Sequence, residues 1–172
     1  MIYKNIPEKR FRKTLQFLKR YIPEKSCILD LGTPNQFSET MRKNEYEVIN
    51  TSGEDLDLEY EIVKDEKIDA VTAFEIFEHM VCPFNLLRSI KAKKLIAWVP
   101  LKLWFTSAYW GENNWDKHYH EFEKKQFHML LEKSGWQIIE AEQWTSPVKK
   151  IGIRPLLRYF TPRYYIVYCV KN

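Results

Sequence analysis

Apolar and polar positions along the chain fall into two rhythms. Phe11, Leu15, Leu18 and Ile22 recur at helical spacing, which predicts a first helix that begins near Pro7 and is stopped by Pro23. Residues 27–31 (CILDL) then form a short apolar run of the kind a strand buried on both faces requires. Residues 38–44 predict a short helix, with Ser38 as N-cap and Arg42 and Lys43 in the last turn. A second strand over 46–50 leads into the turn TSGEDLD, and a short edge strand is expected over 58–63. Residues 68–74 read as a buried strand, 83–90 as a helix with Pro83 in its first turn, and 94–99 as another buried strand ended by Pro100.

A long aromatic connection follows, and then an amphipathic helix over 121–134, with Phe122, Phe127, Leu130 and Leu131 on one side and Gly135 just beyond its end. Residues 136–144 and 164–170 read as the last two strands. With no helix predicted between them, they should form an antiparallel hairpin at one sheet edge. Strands that alternate with helical stretches imply an α/β sandwich with a largely parallel sheet. The whole chain, 1–172, is expected to form one domain, opened by a helical segment over 1–24.

Composition narrows the class without naming it. The chain is 45% hydrophobic and 29% charged, as in an ordinary globular protein. Cys27, Cys82 and Cys169 are far apart and form neither a CxxC nor a zinc spacing, so reduced thiols and a cytoplasmic setting are expected. No apolar leader or membrane-spanning run is read in the sequence. The net charge of +4 is modest, but residues 145–172 carry six basic side chains and no acidic one. Basic residues gathered in one tail do not suggest nucleic acid. They suit a solvated face, or peripheral contact between the aromatic tail GIRPLLRYFTPRYYIVY and an anionic membrane or substrate.

The order ILDLG, VINTS, DAVTAFEIFEHM, KKLIAWVP and HYHEF…LLEKSGW resembles the class I S-adenosylmethionine-dependent methyltransferases, in particular their small-molecule, type 11 branch. The resemblance spans about residues 10–144. It implies a three-layer Rossmann-like methyltransferase sandwich, mostly parallel with an antiparallel C-terminal edge hairpin, and with reduced helices between strands 2 and 4. It also implies S-adenosylmethionine as cofactor and a small-molecule acceptor. Asp30 and Gly32 match the start of the family's first motif, with Thr33, Asn35 and Gln36 in the loop that follows. Asn50 and Thr51 stand where the second strand usually ends in a ribose-binding acid, and Asp55 stands near the adenine position. Glu75 and Ile76 open the E-x-x-E-H segment, whose His79 would lie at the substrate mouth. His118 matches an H-x-x-E-F pattern.

The departures from the family pattern are local. Pro34 and Gln36 occupy the second and third glycine positions, and the loop is about one residue short. Pro34 removes a backbone donor. A changed loop motivates an alternative, in which the fold is kept and the protein acts as a non-catalytic binding or regulatory partner.

His79 and His118 are the candidate general bases, needed only if the acceptor must lose a proton. In EIFEHM, solvated acids at a strand-to-helix turn and a cation held by Glu75, Glu78 and His79 both remain open. In WDKHYHEF, His118, His120 and Glu121 lack a nearby third ligand for zinc, and Glu121–Phe122 could simply begin a helix. No metal ligand is assigned. The connection over 100–120 holds Trp104, Tyr109, Trp110 and Trp115, which are expected to cover a substrate like a lid.

Overall fold

The computed structural model describes residues 6–111, 116–145 and 151–171. Six strands among them form one sheet: β1 (Cys27–Asp30), β2 (Glu47–Asn50), β3 (Ala70–Phe74), β4 (Lys94–Pro100), β5 (Gln137–Thr145) and β6 (Pro162–Val170). Their spatial order is β2-β1-β3-β4-β6-β5. The first four run parallel, with Leu29 opposite both Ile49 and Val71. β6 lies antiparallel between β4 and β5, so the last two strands pair as expected.

Period-two alternation divides the core between the two faces of the sheet. Ile28, Ala70, Ile96 and Ile166 point to one face and pack with Phe17 and Leu18 of α1 (Ile6–Tyr21) and with Phe37 and Met41 of α2 (Gln36–Lys43). Leu29, Val71, Leu95 and Val167 point to the other. There they pack with Leu86 and Leu87 of α3 (Pro83–Ser89) and with Phe127 and Leu131 of α4 (Lys124–Lys133). Trp136, just beyond α4, is fully buried and donates its indole N–H to Leu87 O at 3.0 Å, which ties α4 to α3. The two helical layers leave the carboxyl ends of β1, β2 and β3 on one rim, where ligands of open α/β sheets bind.

Four expectations need correction. Residues 58–63 form no strand. The Asp55 carbonyl accepts the N–H groups of Leu58 and Glu59, a 3₁₀ turn follows at Glu61–Lys64, and β2 is left at the edge. A helix, α5 (Ile153–Phe160), does separate the last two strands, but it buries no residue. α4 begins at Lys124, because Phe122 is held by Leu101 in a parallel bridge and its carbonyl accepts Lys102 N–H at 2.8 Å. The N-cap of α2 is Asn35. Its Oδ1 accepts from Phe37 N–H (2.8 Å) and Ser38 N–H (3.1 Å), while Ser38 Oγ accepts the Asn35 N–H in return.

This capping box fixes the loop that leaves β1. Asn35→Ala should therefore lower stability by about 1 kcal/mol in chemical denaturation, and Asn35→Asp should retain most of it.

Candidate active site

The strand order reverses at β1, which has β2 on one side and β3 on the other. Asp30 ends β1 there and is almost fully buried. Its carboxylate accepts from Thr72 Oγ1 at 2.7 Å and from Asn50 Nδ2 at 3.0 Å. Asn50 Nδ2 also donates to Gly32 O at 3.0 Å, and Asn50 Oδ1 accepts from Arg42 at 2.6 Å. Gly32 N–H donates to Thr51 Oγ1 at 2.8 Å. The three strand ends and the first turn are thus one network. Burial pushes the Asp30 carboxyl up to about 6, although Thr72, Asn50 and Arg42 pull it down.

Two cavities meet over this network. The larger, about 700 Å³, is lined by Thr51, Glu54, Asp55, Leu56 and His79 among others. The smaller, about 430 Å³, is lined by Arg10, Thr14, Gln36, Phe37 and Trp98 among others. Gly32, Thr33, Glu75 and Ile76 line both. Gly32 has a φ of +154°, a conformation that disfavours any side chain. Glu75 has a φ of +56°, uncommon outside glycine, and its carboxylate pairs with Arg10 at 3.0 Å. Burial raises the Glu75 carboxyl, against the pull of Arg10, His79 and Arg163.

Beyond Glu75, a 3₁₀ turn at Phe77–His79 carries Glu78 inward and His79 to the cavity wall. His79 Nδ1 faces Lys117 O at 3.0 Å. A carbonyl can only accept, so Nδ1 carries a proton, and in the neutral ring Nε2 is the accepting nitrogen. His118 Nδ1 lies 3.2 Å from Glu121 Oε1, which orients that ring in the same way. The two imidazoles meet edge to face, with centroids 4.8 Å apart. Burial, and next the nearby His79, hold His118 below the usual histidine range. Glu78 is fully buried, and its burial raises its carboxyl well above the ordinary range.

The site residues expected from sequence are unequally engaged. Asp30 and Asn50 are hydrogen-bonded within the network, and the Asn35 side chain is occupied by its cap. Thr33, Gln36, Thr51, Asp55, Glu75, Ile76 and His79 line the cavities, whereas His118 stands behind His79. Asp55 Oδ1 accepts from Asp57 N–H, and Oδ2 has no hydrogen bond among the described residues. Tyr109 reaches the site through its ring contact with His118 and its N–H bond to Glu121. Trp104 and Trp110 are exposed and line neither cavity, and Trp115 lies outside the described residues.

Arg10 is the residue that sequence reasoning missed. Its guanidinium stands over Trp98 at 5.1 Å and reaches the smaller cavity. Its spacing to the buried Thr14, Phe17 and Leu18, along one helical face, was the available signal.

No protein-family model and no curated protein matches the chain. Solved structures do match. A Burkholderia thailandensis 1,6-didemethyltoxoflavin-N1-methyltransferase, with 1,6-didemethyltoxoflavin and S-adenosylhomocysteine bound, superposes at a TM-score of 0.68 with 12% identity, over 97% of this chain and 84% of that one. The chain has the class I S-adenosylmethionine-dependent methyltransferase fold. Magnesium protoporphyrin IX methyltransferase from Synechocystis PCC 6803, also with S-adenosylhomocysteine, gives 0.56 at 11% identity over 96% and 84% of the two chains. The [4+2]-cyclase SpnF gives 0.66 at 14% identity over 95% and 81%. The same methyltransferase fold thus carries more than one chemistry, and function has to be argued from the site.

The raised Asp30 carboxyl has a consequence for stability. Its folded pKa, about 6, lies above the unfolded value of 3.8, so the folded state holds the proton more tightly between them. Its contribution is full below about pH 4 and is lost as pH climbs through about 6. Asp30→Asn should flatten the fall in denaturation stability across that window relative to the parent chain. Equal slopes in the two proteins would mean that Asp30 titrates normally.

Proposed function

We propose that the protein transfers the methyl group of S-adenosylmethionine to an oxygen or nitrogen of a small molecule. The observation that carries this reading is the pair of cavities that share Gly32, Thr33, Glu75 and Ile76 at the strand-order reversal. Such a site suits a long ligand bent over one glycine. The residues present fit the cofactor. Asp55, with an oxygen to spare, and the apolar Leu56 and Ile76 suit an adenosine in the larger cavity. Arg10 and Gln36 suit the charged amino-acid end in the smaller one. When bound, S-adenosylmethionine supplies an electrophilic methyl carbon.

The chain's own contribution is alignment and proton control. His79, at the wall of the larger cavity with its Nδ1 held by Lys117 O, would use the Nε2 of its neutral ring to take a proton from an acceptor hydroxyl or amine. His118, neutral and held by Glu121, supports it from behind. The altered loop does not oppose this reading. Pro34 is exposed and lines neither cavity, so it narrows nothing and only withdraws one amide donor. The partner-only alternative has no observation in its favour.

Isothermal titration with S-adenosylhomocysteine tests the reading. Binding is expected. It should be lost in Gly32→Arg, whose side chain would enter both cavities, and weakened roughly tenfold in Asp55→Asn. Absence of binding by the parent chain at millimolar ligand would remove the enzymatic reading.

We also propose that α5 rests on an anionic lipid surface. Residues 162–170 of the basic tail are core strand β6, but α5 leaves Ile153, Leu156 and Phe160 exposed beside Arg154 and Arg158. No helix among the described residues is long and apolar enough to cross a membrane. Co-sedimentation with vesicles containing phosphatidylserine should fall at least fivefold in Arg154→Glu/Arg158→Glu. Equal binding by parent and variant would contradict this surface.

A further inference from the structure

Glu78 is the group the proposed chemistry leaves unexplained. Its side chain has no exposure, and neither carboxylate oxygen has a hydrogen-bond partner among the described residues. A buried carboxylate without a partner is expensive, and native proteins keep few of them. A merely structural role would be filled better by Gln or Leu. The surroundings show what is missing. His79 Nε2 lies 3.9 Å from Glu78 Oε1, and one ligating atom from each of Glu78, His79 and His118 lies within 4.8 Å of the other two.

In both imidazoles Nδ1 is anchored to an acceptor (Lys117 O for His79, the Glu121 carboxylate for His118), and neither Nε2 has a hydrogen bond among the described residues. That arrangement is the outer-shell support that metal-binding histidines need, because it fixes both the tautomer and the ring orientation.

We propose that Glu78, His79 and His118 form a binding site for one divalent transition-metal cation. Two imidazoles and one carboxylate suit zinc, iron(II) or manganese better than magnesium or calcium, which prefer all-oxygen sets. Ligand atoms around zinc stand about 3.3 Å apart, so closure needs only small side-chain rotations from the present spacing. Three protein ligands leave at least one coordination position open. His79 also lines the larger cavity, so the cation sits at its wall.

The set differs from the Glu75–Glu78–His79 trio that local sequence suggested. Glu75 is turned away to Arg10, and His118, from the distant connection, takes its place. The site stands on its ligands alone, and its role rests on the methyl-transfer reading. There, the cation would hold an acceptor oxygen and lower the pKa of its hydroxyl, whose proton would leave to water, so that with the cation bound His79 is a ligand in place of the base it serves as without one.

The test titrates the chelator-treated full chain with zinc and with manganese, and separately with S-adenosylhomocysteine. One equivalent of zinc or manganese should bind at micromolar concentration or below, with magnesium at least 100-fold weaker. Glu78→Gln and His118→Ala line neither cavity and should weaken metal binding at least 100-fold while S-adenosylhomocysteine still binds. His120→Ala, at an imidazole outside the set, should bind metal like the parent. If the variants do not fold, nitrogen-15 imidazole spectra of the parent chain decide the matter, since zinc should shift two histidine Nε2 signals. No binding at 1 mM metal, equal binding in all variants, or unshifted imidazoles would overturn the site. Metal binding without S-adenosylhomocysteine binding would support the site and overturn methyl transfer. The reverse result would overturn the site alone.

Discussion

The structure depends on the buried Asp30 carboxylate and the side chains that converge on it. Thr72 comes from β3 and Asn50 from β2, and Asn50 in turn holds Gly32 O and Arg42. A charge-accepting group inside the sheet is costly unless it is hydrogen-bonded, and each bond here draws a different strand to the same point. The first turn is tied down from both ends. Thr51 accepts Gly32 N–H, and three residues later Asn35 caps α2. The rim of the sheet is therefore set before any ligand arrives. Both cavities open on it, and the elements that reach over them, α1 with Arg10 and the connection with His118, are placed by packing on the sheet faces.

This arrangement explains how a loop that carries Pro34 and Gln36 can stay open. Glycine is demanded at Gly32, where the backbone conformation disfavours a side chain, and it is still there. Pro34 stands on the exposed side of the turn, Gln36 lines the smaller cavity, and Asn35 between them supplies the helix start. Likewise, the missing acid at the end of β2 is no gap. Asn50 is a strut in the network, and the carboxylates of Glu54 and Asp55 enter the cavity wall from the next turn.

Much of the fold was legible because burial on two faces leaves a strong mark. The runs at β1, β3 and β4 and the helical stripe of α4 follow from period alone. What escaped was decided by long-range contacts or by local polar competition. Ser38 looked like a cap, but Asn35 accepts two backbone N–H groups at shorter reach. α5 does carry a one-sided apolar stripe, but it spans only eight residues, includes Pro155 and buries nothing, so it reads as part of the basic aromatic tail. Arg10 finds Glu75 sixty-five positions away, and His118 finds His79 only through the path of the aromatic connection. The residue types at the site were readable one by one, while the pairings that give them roles belong to the topology.

The central claim is that the two cavities hold one ligand bent over Gly32. The most direct measurement is a crystal structure of the chain grown with S-adenosylhomocysteine. The account predicts adenosine against Asp55, Leu56 and Ile76, with the amino-acid end beside Arg10 and Gln36. Density for the ligand elsewhere, or both cavities empty at saturating concentration, would contradict it.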